Sequence, residues 1–129
     1  MLAAALAAFS RLAARRQLVL RPSGDGLELR PDPARRYLLY IHVPFCEELC
    51  AYCSFYSIPF ARNIAARYYD ALRRELESYH RRGFRFGSAY VGGGTPTVLP
   101  SELTKLLGLA RDLWPIDSVS VETTPRHLT

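Results

Sequence analysis

Cys46, Cys50 and Cys53 are the three cysteines of this 129-residue chain, and they stand in one run, Cys46-Glu47-Glu48-Leu49-Cys50-Ala51-Tyr52-Cys53. Three thiols cannot all pair within one chain, and thiols this close together point away from a secreted disulfide scaffold and towards metal. Thiolates select zinc, Cu(I) or iron–sulfur clusters. A structural zinc site normally has four protein ligands, so a histidine or carboxylate would have to complete it. His42 lies inside a run that reads as a strand and is expected to pack there rather than ligate, while His80 and His127 are remote in sequence. A cluster of four irons usually takes four cysteines, and three leave one iron open to a substrate or cofactor. The C-x3-C-x2-C spacing, set among Pro44, Phe45, Tyr52 and Phe55, favours such a cluster over zinc and over three incidental buried thiols. The aromatic neighbours would shield it from water and tune its potential.

A second segment is Gly92-Gly93-Gly94-Thr95-Pro96. Glycines at a strand end let the backbone approach a ligand closely and leave its N–H and C=O groups free to meet it.

The elements that must position these residues alternate. Arg36–Val43 reads as a buried strand ended by Pro44, and residues 46–60 as a loop long enough to be functional. Ala61–Arg82 reads as a helix with Ile64, Tyr68, Leu72, Leu76 and Tyr79 inward and opposite charges four apart on its outer face. Ser88–Val91 is the next strand, Pro100–Leu113 a helix with Leu103, Leu106, Leu107 and Leu113 inward, and Val119–Glu122 a third strand. The order β-α-β-α-β predicts a parallel sheet, and ligands of such folds bind beyond the carboxyl ends of the strands, where the cysteines lie. A complete β/α barrel needs about 200 residues or more, so the expectation is the first part of a longer protein, with an open sheet edge.

Residues 1–36 read as an arm. Leu2, Leu6, Phe9 and Leu12 give Met1–Gln17 helical periodicity, and Leu27 and Leu29 could form a short strand. This arm holds seven arginines against Asp25, Glu28 and Asp32 and so carries most of the net charge of +5. An acid-free, arginine-bearing start also has the look of a transit peptide, but packing of the helix on the domain is the favoured reading. The body is close to neutral, which argues against nucleic acid as a partner. No apolar run approaches the roughly 20 residues of a membrane span.

The triplet resembles the hallmark of the radical S-adenosylmethionine (SAM) superfamily. The wider stretch Tyr40-Ile41-His42-Val43-Pro44-Phe45-Cys46 through Tyr52-Cys53-Ser54-Phe55, with Tyr90-Val91-Gly92-Gly93-Gly94-Thr95-Pro96-Thr97 and Val119-Ser120-Val121-Glu122, is similar to the oxygen-independent coproporphyrinogen III oxidases and their heme-chaperone relatives. The resemblance implies an α/β fold of parallel β/α units forming the first part of a partial TIM-like barrel, with residues 37–129 as the N-terminal part of the core domain. It implies a 4Fe-4S cluster on Cys46, Cys50 and Cys53, and SAM chelated to the open iron near Tyr40, Gly93, Gly94, Thr95 and Glu122. It further implies an enzyme that cleaves SAM reductively to a 5′-deoxyadenosyl radical and decarboxylates a porphyrinogen propionate in heme biosynthesis. The alternative is a heme chaperone without oxidase turnover. A porphyrinogen or heme substrate, an electron donor such as flavodoxin or ferredoxin and a cytoplasmic location belong to the same expectation, and these residues alone are expected to be inactive. Two positions depart from the oxidase pattern. Phe55 stands where the oxidases carry a further cysteine, and Thr124 stands where the family often has asparagine before Pro125.

Overall fold

The computed structural model describes residues 30–127. The helix expected over Met1–Gln17 and the strand expected at Leu27 and Leu29 lie outside those residues.

Five strands and two helices follow in the order β1 (Tyr37–Val43), β2 (Phe45–Cys46), β3 (Ile58–Pro59), α1 (Arg62–Arg81), β4 (Phe86–Gly93), α2 (Pro100–Leu113) and β5 (Ser118–Val121). β1, β4 and β5 form one parallel sheet in that order, as the β-α-β-α-β alternation predicts. Rows run straight across it: Leu39, Ala89 and Val119 form one, Ile41, Val91 and Val121 another. Because side chains alternate along a strand, these rows face the helices, where they join Ala65, Tyr69 and Leu76 of α1 and Leu103, Leu106 and Ala110 of α2 in a single core. The intervening rows, among them Tyr40 with Tyr90 and Ser120, face away from the helices and carry the polar and aromatic side chains.

β4 starts earlier and ends later than its residues suggest, because Gly87, Gly92 and Gly93 have poor strand propensity but are held in the ladder beside β1. The register shifts between Tyr37 and Leu38, opposite Gly87, where a Cβ would lie 2.8 Å from the Arg36 guanidinium. That guanidinium donates to Pro115 O and pairs with Asp117, both at 2.9 Å, and so ties the start of β1 to the start of β5.

The inward face of α1 is rotated from the expected one. Ala65, Tyr69 and Leu76 are buried, Tyr68, Leu72 and Tyr79 partly so, and Ile64 is 51% exposed. Tyr69 decides the phase: its hydroxyl donates to Pro96 O at 3.3 Å, and burial pushes its phenol up to about 12. Arg73 is drawn away from the outer face as well, pairing with Asp70 at 2.6 Å and with Glu102 of α2 at 2.9 Å. Trp114 closes the far end of the core, edge-on to Phe86 with ring centroids 4.8 Å apart and its indole N–H on Phe84 O at 2.7 Å. No helix among the described residues is long and apolar enough to cross a membrane.

Candidate functional site

All three cysteines are free thiols on the segment that leaves β1. This segment is more ordered than a plain loop. Phe45–Cys46 pairs in parallel with Ile58–Pro59, through Ile58 N–H on Pro44 O and Phe60 N–H on Cys46 O, both 2.8 Å. Pro59 is tolerated because those donors fall on its neighbours, so its missing N–H is never needed. Residues 47–57 are thereby closed into a loop whose two ends are fixed. Inside it, Cys53 N–H donates to Cys50 O at 3.1 Å, bringing the second and third cysteines into one turn.

The glycine segment lies directly against the first cysteine. Gly94 N–H donates to Val43 O at 2.8 Å and Thr95 N–H to Phe45 O at 2.7 Å, which continues the β4–β1 ladder past the end of the sheet. Gly93 has φ +121, in the region that favours glycine, and a Cβ there would stand 2.8 Å from Val43 O. A Cβ on Gly94 would stand 2.8 Å from Cys46 Sγ and from Phe45 O. The segment is glycine because the backbone itself packs on the cysteine.

These pieces enclose one cavity of about 450 Å³, lined by Cys46, Cys50, Cys53, Gly93, Gly94 and Thr95 together with Glu47, Glu48 and Thr124–Arg126. Six of the residues singled out by the sequence are thus gathered at one place. Thr95 is buried and its hydroxyl donates to Cys46 Sγ at 3.8 Å. Tyr40 and Glu122 are outside the lining. Glu122 stands next to it, its carboxylate accepting from Gly93 N–H at 3.1 Å and from the Tyr90 hydroxyl at 2.5 Å. That carboxylate pushes the Tyr90 phenol above its ordinary value. Tyr40 is one row further from the cavity, stacked on Tyr90 with centroids 6.0 Å apart.

His42 lies in β1 and packs as a strand residue. Its Nε2 lies 3.1 Å from Tyr56 O and its Nδ1 3.0 Å from the Tyr40 hydroxyl. A carbonyl can only accept, so the neutral Nε2–H tautomer satisfies both contacts, with Tyr40 donating to Nδ1. His42 therefore anchors the far end of the cysteine loop to β1, and Tyr68 of α1 holds the strand end from behind by donating to His42 O at 2.6 Å.

Four residues were given no role at the site by the sequence. Tyr90 orients Glu122 only because β4 and β5 pair in this register. Arg126 and His127 follow β5 and return to the cysteine loop, Arg126 pairing with Glu48 at 3.3 Å and His127 with Glu47 at 3.4 Å. His127, remote in sequence, also sits 2.7 Å from Thr97 Oγ1 beyond the glycine segment. The hydroxyl of Thr124, in the cavity wall, is buried with no hydrogen-bond partner among the described residues. Near the cysteines, the Cys50 thiol pushes the Tyr52 phenol above its ordinary value.

A parallel sheet backed by helices, with its three cysteines beyond the carboxyl ends of the strands, is the layout of a β/α-barrel protein that binds its ligand at that face. Residues 40–129 match the Radical SAM superfamily, and the chain belongs to that family. It is 40% identical over 98 residues to an oxygen-independent coproporphyrinogen III oxidase of Cereibacter sphaeroides, covering 70% of this chain and 22% of that protein. It is 39% identical over 106 residues to the heme chaperone HemW of Mycobacterium tuberculosis, covering 75% of this chain and 27% of the relative. It is 36% identical over 87 residues to an anaerobilin synthase of Escherichia coli O157:H7, covering 64% and 20%. Among solved structures it superposes on coproporphyrinogen III oxidase (HemN) from Escherichia coli with a TM-score of 0.67 and 26% identity, over 92% of this chain and 31% of that one. The chain thus spans about a fifth to a quarter of the length of these curated relatives.

The family's cofactors are a 4Fe-4S cluster and S-adenosylmethionine. The residues present fit both. Cys46, Cys50 and Cys53 are free thiols lining one cavity, a donor set suited to an iron–sulfur cluster. The glycine segment packs its backbone on the cysteine, where a Cβ would meet Cys46 Sγ and the Val43 and Phe45 carbonyls, and the Thr124 hydroxyl in the cavity wall has no hydrogen-bond partner among the described residues.

Proposed function

We propose that Cys46, Cys50 and Cys53 hold the cluster, that Gly93, Gly94, Thr95 and Glu122 position S-adenosylmethionine at the open iron, and that Tyr40 stands close to both. The protein is then an oxidoreductase resembling the oxygen-independent coproporphyrinogen III oxidases, taking a porphyrinogen as substrate and an electron from a flavodoxin- or ferredoxin-like donor. When bound, the cofactors supply one-electron reductive cleavage of a carbon–sulfur bond and the hydrogen abstraction that follows from it. The observation carrying the reading is the single cavity in which three free thiols meet a glycine strand end with no room for a Cβ.

In this reading the chain's residues bind and orient rather than react. Gly93 and Gly94 admit the cofactor to within backbone distance. Glu122 presents one carboxylate, already aimed by Tyr90 and Gly93, to a cationic group. The β2–β3 pairing holds Cys46 and closes the ends of the loop that carries Cys50 and Cys53. The reading assigns residues 37–129 to the core domain and leaves residues 1–36 outside it.

A second reading, a heme chaperone without oxidase turnover, is favoured by Phe55, which is 70% exposed where the oxidases carry a further cysteine. The two are separated with the full-length protein, reconstituted anaerobically and reduced in the presence of S-adenosylmethionine. With an electron acceptor supplied for the substrate radical, coproporphyrinogen III should give a decarboxylated, vinyl-bearing product in step with cleavage of S-adenosylmethionine to methionine and 5′-deoxyadenosine. Transfer of bound heme to an acceptor with no decarboxylation would establish the chaperone reading instead.

A further inference from the structure

Thr95 is buried, and a buried hydroxyl needs a partner. Its hydroxyl has one in the sulfur of Cys46, 3.8 Å away, a long hydrogen bond to a neutral thiol. Other donors in this neighbourhood are already committed: Gly94 N–H to Val43 O and Thr95 N–H to Phe45 O, both to carbonyls of the strand that carries the cysteine. The contact is also held from both sides. Thr95 is fixed by its own N–H and by its carbonyl, which accepts from Val98 N–H at 3.0 Å. Cys46 is fixed by the Phe60 N–H on its carbonyl. Gly94 lies so close to the sulfur that a Cβ would stand at 2.8 Å. Neither partner can drift away without breaking the β2–β3 pairing or the glycine strand end.

We propose that the Thr95 hydroxyl is a positioning and redox-tuning group that donates a hydrogen bond to the Cys46 thiolate and raises the reduction potential of the cluster. The proposal rests on the reading of Cys46 as a cluster ligand. An ionised sulfur is a stronger acceptor than a thiol, so the bond strengthens when the thiolate forms. Hydrogen bonds to ligating sulfurs are among the levers that set iron–sulfur potentials. The added electron on reduction increases the negative charge on the sulfurs, and a donor aimed at one of them stabilises that state. The glycine segment thus acts on both cofactors: its backbone faces the cavity, and the side chain that follows it is turned to the iron–sulfur side. The nearby Tyr52 is 90% exposed and so is a poorly fixed donor, whereas Thr95 is enclosed.

The test uses the full-length protein with its reconstituted cluster, without S-adenosylmethionine, and reads the midpoint potential by spectroelectrochemical titration. Thr95→Val keeps the shape and removes the hydroxyl; Thr95→Ser keeps the hydroxyl and removes the methyl. The potential is expected to move to more negative values in Thr95→Val and to stay at the wild-type value in Thr95→Ser. Equal potentials in all three proteins, or equal shifts in both variants, would overturn the proposal, the second outcome assigning the effect to packing. Cys46→Ala separates the underlying reading: loss of iron upholds it, whereas a full complement of iron and sulfide refutes Cys46 as a ligand and the proposal with it. Thr95→Val is isosteric, and if its cluster proves too unstable to titrate, the electron paramagnetic resonance line shape of the freshly reduced protein serves in its place, altered in Thr95→Val and unaltered in Thr95→Ser.

Discussion

Gly94→Ala is expected to lose cluster binding while the rest of the domain stays folded. The new Cβ would lie 2.8 Å from Cys46 Sγ, 2.8 Å from Phe45 O and 2.9 Å from Pro44 C. Two of those atoms are backbone, and no rotamer change can move them. The third is the Cys46 sulfur, which under the proposed function must hold its position to ligate. Nor can the glycine segment retreat, because the Gly94 and Thr95 N–H groups bind it to Val43 and Phe45. Overpacking of this kind costs about 1–3 kcal/mol, which corresponds to a roughly 5- to 150-fold loss of affinity when it falls on a binding geometry. Gly108 supplies the control. It lies on the exposed side of α2, and a Cβ there meets nothing within 4 Å. Gly108→Ala should therefore bind iron normally and raise stability by about 0.5–1 kcal/mol, since glycine is a poor helix residue. Iron and sulfide analysis together with thermal melts reads both variants. A full iron complement in Gly94→Ala would mean that the glycine segment does not press on the ligating sulfur.

Cys50→Ala should abolish the cluster with almost no cost to the fold. The side chain is exposed, so its removal opens no cavity, in contrast to a buried truncation. Only two thiolates would remain for a cluster that usually takes four. The circular dichroism spectrum and melting temperature of the metal-free protein are expected to match wild type, and the charge-transfer absorbance of the reconstituted protein to vanish. Retained iron and sulfide at wild-type levels would refute the assignment of Cys50.

The elements were legible where their signals were local. The alternation along β1, Leu39, Ile41 and Val43 inward with Tyr40 and His42 outward, is a period-two pattern and sets both the core and the site face. α2 begins and ends where Pro100 and Leu113 mark it. The cysteine spacing and the glycines located the cavity because thiolate chemistry and the lack of a Cβ are properties of single residues. What escaped depends on contacts across the chain. β2 and β3 are two residues each, too short for any periodicity, and exist because their donors face each other across the loop. Ile64 is apolar at a helical spacing yet exposed, because Tyr69, which anchors the turn after the glycine segment, sets the rotation of α1. The pairing of Tyr90 with Glu122 spans 32 positions and follows from the strand register, and that of Glu47 with His127 spans 80 and joins two segments outside the strands.

The central claim, a three-cysteine cluster whose open iron takes S-adenosylmethionine, is tested most directly by electron paramagnetic resonance of the anaerobically reconstituted and reduced full-length protein, recorded before and after S-adenosylmethionine is added. The account predicts about four irons and four sulfides per chain, a reduced-cluster signal, and a change in its g values when S-adenosylmethionine binds. Stoichiometric zinc without iron or sulfide, or a cluster signal that S-adenosylmethionine leaves unchanged, would contradict it.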